Sequence, residues 1–206
     1  LLGIPHLALL NAYWSPWAVI DLPVPDVPLA RLLGSSLAPR VFRLFERRLL
    51  RPHLRPMNEL RRRLGLRGFT DLRAMYADAD RLCLVDLPEL SPVRNPPPHC
   101  VWLGPLWWEV GGVSPPTVRR VQETGRPIIY ATLGTTGHPR LLELVLGAFA
   151  GGECEVLLTG AGPAGAWRRP PRNVHVFEQL PGAAMNGAAA VVCHGGSGTL
   201  YQALSR

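Results

Sequence analysis

Residues 190 to 204 read Ala-Val-Val-Cys-His-Gly-Gly-Ser-Gly-Thr-Leu-Tyr-Gln-Ala-Leu, and this stretch restricts the fold more than any other in the chain. Ala190 to Cys193 has the composition of a buried parallel strand that ends at His194. A glycine cluster follows, and helical spacing resumes at once. The prediction is a strand, a tight turn and a helix start. Glycines permit positive φ and let a ligand approach the main chain, while the first helical turn offers unpaired N–H groups and the positive end of the helix dipole. A phosphate or diphosphate is the natural guest. In this reading Ser197 or Thr199 caps the helix or donates a hydroxyl to the anion, and His194 hydrogen-bonds it. The competing reading is a glycine-rich turn with a capping serine and a core histidine. The coincidence of His194, Gly195, Gly196, Ser197, Gly198 and Thr199 favours the anion site.

Two rival phosphate motifs fail on spacing. A Walker A loop ends in Gly-Lys-Ser/Thr, and the chain contains no lysine. Gly196 and Gly198 have the G-x-G spacing of a dinucleotide fingerprint, but Gln202 and Ala203 follow where its third small residue and context would be tested. The loop also lies far from the first strand–helix turn of the chain, so a nicotinamide oxidoreductase is the weaker reading.

The 206 residues are 47% hydrophobic, enough to bury a sizeable core in one or two domains. The net charge of +7 comes entirely from arginine on the basic side. Absence of lysine reads as compositional bias rather than as selection for nucleic acid, so nucleic-acid binding is disfavoured. Anionic lipid or a diphosphate suits the charge better. Cys83, Cys100, Cys154 and Cys193 lack metal-ligand spacing and sit beside apolar runs, which predicts buried reduced thiols and a cytoplasmic enzyme without a metal site. No run of about 18 apolar residues occurs, and Leu1 to Leu10 lacks a basic leader region. The first residue is not Met, and Arg206 falls inside a helical stretch, so a fragment lacking both ends is expected.

In chain order, Gly3 to Leu10 is predicted to be a strand. Asn11, Tyr13, Trp14 and Trp17 lie in the loop at its C-terminal end, where parallel sheets place their ligands. These side chains either wall an apolar acceptor pocket or pack under the loop. Asp21 to Pro28 is a proline-rich extended connection. Leu37, Val41, Leu44, Phe45 and Leu49 mark an amphipathic helix ended by Pro52, and a second helix runs from Pro56 to Gly65. Together they present Arg43, Arg47, Arg48, Arg51, Arg55, Arg61, Arg62 and Arg63, either as a solvated face or as contact with an anionic membrane surface. A short helix near Asp71 to Tyr76 and strands at Arg81 to Val85 and Cys100 to Leu103 follow. Gly104 to Pro116 carries prolines and paired glycines and reads as an interdomain linker.

Beyond the linker the pattern is regular. Ile128 to Leu133 is a strand, Gly134-Thr135-Thr136-Gly137-His138 a second glycine/hydroxyl turn, and Leu141 to Phe149 a helix started by Pro139. Glu155 to Thr159, Asn173 to Phe177 and Ala190 to Cys193 are further strands. This alternation predicts a parallel sheet with right-handed crossovers, in which two glycine/hydroxyl turns meet in one crevice.

Leu133-Gly134-Thr135, Asn173-Val174 with Leu180-Pro181, and His194-Gly195-Gly196-Ser197-Gly198-Thr199 resemble, in order and spacing, the nucleotide-sugar half of GT-B glycosyltransferases related to UDP-glucuronosyltransferases. Leu2-Gly-Ile-Pro-His, Asn11-Ala-Tyr-Trp-Ser-Pro and Leu103-Gly-Pro resemble the second half of that family's acceptor domain. The resemblance implies an α/β, GT-B-like chain of two Rossmann-like domains with incomplete parallel sheets. Residues 1–104 would be the C-terminal part of the acceptor domain, 105–116 the linker, and 117–206 the N-terminal part of the nucleotide-sugar domain. It further implies transfer of a sugar from a UDP-sugar or TDP-sugar to an acceptor hydroxyl of a lipid or other small apolar molecule, with no cofactor. Gly134, Thr135, His194 and the turn Gly195 to Thr199 would hold the diphosphate, and the main chain near Leu180 would meet the base. Gln202 stands where many relatives carry a glutamate for the ribose hydroxyls, and Gln179 near where some stack an aromatic on the base. The family's general base would lie before Leu1 and its sugar-reading acidic-Gln pair beyond Arg206, so no catalytic residue is assigned and the chain alone is expected to be inactive. A truncated, non-catalytic binding paralogue is the alternative, and a nucleotide-sugar epimerase is disfavoured because no acidic residue lies near His194.

Overall fold

The computed structural model describes residues 3–19, 24, 27–107, 111–134, 139–160 and 169–206. The chain divides into two compact units, Leu1–Pro105 and Leu106–Arg206. Each is an α/β unit built on parallel strands.

In the first unit β1 (Leu7–Leu10), β2 (Arg81–Leu84) and β3 (Cys100–Trp102) form a parallel sheet in the order β1-β2-β3. Leu10, Ala12, Leu82 and Leu84 make its small core, with Trp14 and Trp17 packed against it. A 3-10 turn, Ala12–Trp14, follows β1 directly. The helical segment α1 (Pro28–Leu50) starts nine residues earlier than the apolar spacing from Leu37 suggested. Pro28 supplies the start, since its missing N–H costs nothing in a first turn. Gly34 breaks the segment with φ 69° and ψ 177°, and Pro39 removes a further helical hydrogen bond, which is why one period does not run through it. A 3-10 turn, Arg51–Leu54, joins α1 to α2 (Arg55–Arg63). The short α3 (Leu72–Tyr76) is capped by Asp71, whose carboxylate accepts from the Arg73 and Ala74 N–H groups.

The second unit contains α4 (Pro116–Glu123), β4 (Ile128–Thr132), α5 (Pro139–Phe149), β5 (Glu155–Thr159), β6 (Val174–Phe177), β7 (Ala190–Cys193) and α6 (Ser197–Leu204). Its four parallel strands lie in the order β6-β5-β4-β7. Every residue of β4 and β5 is buried. Alternate residues feed two cores on opposite faces: Ile128, Tyr130 and Leu157 pack with α4 residues Val118 and Val121, and Ile129, Ala131, Val156 and Leu158 pack with Leu146 of α5. Burial raises the Tyr130 phenol to about 12. At the N-terminal end of this sheet Glu155 accepts from Arg126 Nη1 at 2.6 Å and pairs with His175 Nε2 at 2.8 Å.

The expectation of four buried thiols is corrected. Only Cys83 is fully buried; Cys100 and Cys193 are half-buried on the edge strands β3 and β7, and Cys154 is half-buried in the turn before β5. The Cys100 thiol is still pushed up, by burial first and by neighbouring Cys83 second.

Candidate functional site

β4 and β7 are neighbours, so the turns that follow them leave the sheet side by side at its C-terminal end. Gly134 has φ 57°, a conformation that side chains resist, and a Cβ placed on it would lie 2.8 Å from His194 Cε1. A Cβ on Gly196 would sit 3.0 Å from the same ring. The imidazole of His194 therefore lies across two glycine backbones, and its residue is exposed. Thr132, buried at the last position of β4, accepts the Gly134 N–H at 3.2 Å and fixes the start of the first turn. Thr135 and the rest of that turn, through His138, lie outside the described residues.

His194 follows β7 rather than ending it, because the ladder with β4 stops at Cys193. The N-cap of α6 is Gly196, without a side-chain cap. Ser197 and Thr199 consequently stand within the first turn, where the expected capping role is not open to them. That turn leaves its N–H groups at the same end of the sheet as Gly134 and His194. Gly195, at φ 81°, makes the bend between strand and helix.

A third turn, not anticipated from sequence, joins this cluster. Gly160 follows β5 with φ 75°, and a Cβ there would lie 2.9 Å from the Gly134 carbonyl oxygen. Thr159 donates its hydroxyl to the Glu178 carbonyl at 3.3 Å, tying the end of β5 to the segment after β6. Gln179 in that segment is exposed. Leu180 buries its side chain with Tyr130 and Leu157, so only its main chain is available to a ligand. Gln202 is half-buried on α6. The C-terminal ends of β4, β5 and β7 thus bring together Gly134, Gly160, His194, Gly196 and the α6 N-terminus. First-turn N–H groups, a small-residue floor and an imidazole suit an anion with several oxygens, such as a diphosphate.

In the first unit the residues after β1 are held by Asp86, a buried carboxylate that accepts from the Ala12 N–H and from Asn11 Nδ2 at 3.3 Å. The sequence gives only a lone acid behind an apolar run at this position. Tyr13 and Trp14 lie tilted at 5.4 Å, Trp14 meets Tyr76 edge-on at 5.4 Å, and Trp17 approaches His99 at 6.4 Å. Tyr13, Trp14 and Trp17 pack at the loop and remain half-buried.

No protein-family model matches the chain. The chain is 42% identical over 206 residues to the PGL/p-HBAD biosynthesis rhamnosyltransferase of Mycobacterium bovis, covering 99% of this chain and 45% of the relative. It is 41% identical to a PGL/p-HBAD biosynthesis glycosyltransferase of Mycobacterium tuberculosis, covering 48% of that protein. An inactive PGL/p-HBAD biosynthesis glycosyltransferase of Mycobacterium bovis is 42% identical over 149 residues, 72% of this chain and 40% of its own. Among solved structures, the calicheamicin glycosyltransferase CalG4 overlays with a TM-score of 0.48 at 18% identity, over 72% of this chain and 37% of its own. The glycosyltransferase SnogD from Streptomyces nogalater does so at 0.48 and 29% identity, over 61% of this chain and 36% of its own. Along its whole length the chain is similar in sequence to the PGL/p-HBAD biosynthesis glycosyltransferases, and it spans a little under half the length of those relatives.

Proposed function

We propose that the chain is the donor-diphosphate-binding and partial acceptor-binding portion of a glycosyltransferase that moves a sugar from a nucleoside diphosphate to a hydroxyl of a lipid or other small apolar acceptor. The observation that carries this is the meeting of Gly134, Gly160 and His194 with the α6 N-terminus at one end of the second sheet. In the reaction the anomeric carbon–oxygen bond to the diphosphate breaks as the acceptor oxygen bonds that carbon. The departing charge falls on oxygens held by the α6 N–H groups and His194, and the acceptor proton passes to a base outside residues 1–206. Thr135, Ser197 and Thr199 would add hydroxyl donors, and the Leu180 main chain with Gln179 and Gln202 would meet the nucleoside. UDP-sugars and TDP-sugars are both compatible donors, and no further cofactor enters the scheme.

The relatives' names point to an acceptor of the PGL/p-HBAD kind. Asn11, Tyr13, Trp14 and Trp17 stand at the acceptor side, and a cytoplasmic, membrane-peripheral location fits an apolar acceptor; no helix among the described residues is long and apolar enough to cross a membrane. A non-catalytic binding role is the second reading, favoured by the relative that is named inactive.

Calorimetric titration of the folded chain with UDP, TDP and NAD tests the proposal. Saturable UDP or TDP binding that weakens at least tenfold in both His194→Ala and Gly134→Val supports it. NAD binding, or no binding by a folded chain, overturns the donor site. Turnover of a UDP-sugar by this chain alone would show that it carries its own base.

A further inference from the structure

The segment from Pro28 to Arg67 contains eleven arginines and two glutamates, a balance of +9, whereas the whole chain is +7. The remaining residues are together slightly acidic, so the basic character of this protein belongs to one segment. Along α1 and its C-cap, Leu37, Arg40, Leu44, Arg48 and Arg51 follow the i, i+3, i+7, i+11, i+14 spacing of one helix face. All five are exposed. Leu44 is 81% exposed in the middle of this face, and Phe45 and Leu49 stand half out of the surface beside it. Outward leucines ringed by arginines are costly in water and suited to an interface between water and lipid.

Where α1 turns into α2 an open cleft of about 870 Å³ is lined by Arg48, Arg51, Arg55, Asn58, Glu59 and Arg62. Arg62 is paired with Glu59, and Asn58 is engaged with the main chain of Phe69. Arg48, Arg51 and Arg55 form no ion pair among the described residues. Three like charges on one cleft repel one another unless an anion lies between them. A separate apolar cleft of about 420 Å³ runs along α1, lined by Leu29, Leu33, Val41, Phe42, Phe45 and Leu49. A basic and an apolar cleft thus share the segment of α1 and α2, matching the phosphate and acyl parts of a phospholipid layer.

We propose that this α1–α2 surface docks the protein on an anionic bilayer, with lipid phosphates between Arg48, Arg51 and Arg55 and with Leu44, Phe45 and Leu49 entering the acyl boundary; the proposal rests on the reading of the acceptor as an apolar, membrane-borne molecule. Docking would hold the acceptor unit against the layer in which such a molecule is dissolved.

Co-sedimentation of the full chain with vesicles of phosphatidylcholine, or of phosphatidylcholine mixed with phosphatidylglycerol, tests it. The chain should bind the mixed vesicles and not the neutral ones, and binding should fall as salt rises above about 0.15 M. R48Q/R51Q/R55Q should weaken binding at least tenfold, on the order expected for three surface arginines. R119Q/R120Q/R172Q, which removes the same charge from the second unit, should weaken it much less. Leu44→Gln, which leaves charge unchanged, should also weaken binding and is the check that does not depend on the arginine variant folding. No binding to mixed vesicles by a folded chain, equal binding to neutral vesicles, equal loss in both arginine triples, or no effect of Leu44→Gln would each overturn the proposal. UDP affinity, measured in parallel on R48Q/R51Q/R55Q, should be unchanged. A chain that binds UDP but no vesicle loses this inference alone, and a chain that binds vesicles but no UDP loses the donor reading.

Discussion

In the second unit all ten residues of β4 and β5 are buried, whereas in the first β1 buries only Leu10 and leaves Leu7 and Leu9 exposed. The second sheet is covered on both faces by separate cores, and its apolar side chains are spent inside. The first has one small core, and much of its apolar surface is carried outward on α1 and α2. The contrast separates two tasks. A ligand end built from glycine backbones at van der Waals limits needs a sheet that does not shift, and the second unit supplies one. A surface that meets apolar or lipid material needs exposed leucines and arginines, which stabilise nothing until they are covered.

Truncating the interior should strain the comparison most. Leu157→Ala removes a fully buried side chain from the middle of β5 and should cost about 2–5 kcal/mol. The second unit should then melt first, seen as a separated calorimetric transition, while the first is unaffected. A single transition that moves as one would mean the units unfold together.

Tyr130 gives the next largest effect. Its pKa is raised to about 12 from 10 by burial, so the folded state holds the proton more tightly. The associated stability is complete below pH 10 and is lost as pH rises from 10 towards 12, by about 2–3 kcal/mol. Denaturant titrations across that range should show the loss, and Tyr130→Phe should remove its pH dependence.

Ion pairs sharpen the contrast at smaller scale. Glu155→Gln breaks the partly buried contacts with Arg126 and His175 and should cost about 1–2 kcal/mol. Arg47→Gln removes a 3.0 Å pair with Asp71 whose arginine is 85% exposed, and should change stability by less than about 0.5 kcal/mol. Chemical denaturation of both variants measures the difference. Equal costs would deny that the second unit is the better packed.

The donor end was legible where glycine clusters interrupt a period. Ala190 to Leu204 announces strand, turn and helix, and both ends of Glu155–Thr159 and the start of the helix at Pro139 were readable to the residue. Gly160 was not legible as part of the site, since one glycine after a strand looks like any turn, and only the sheet order puts it against Gly134. Asp86 was hidden for the same reason, because its partners Asn11 and Ala12 lie on another strand's end. The Pro115-Pro116 pair suggested linker, yet Pro116 opens α4 at a position where a missing N–H is harmless. Gly34 concealed the first turns of α1 by breaking their register with Leu37 onward.

The central claim is that the ends of β4, β5 and β7 form the diphosphate site. Amide NMR of the isotope-labelled chain, titrated with UDP, tests it most directly. The account predicts shifts concentrated at Gly134, Gly160 and His194 to Thr199, with the amides of α1 and α2 unmoved. Shifts centred on Arg48 to Arg62, or spread evenly over both units, would contradict it.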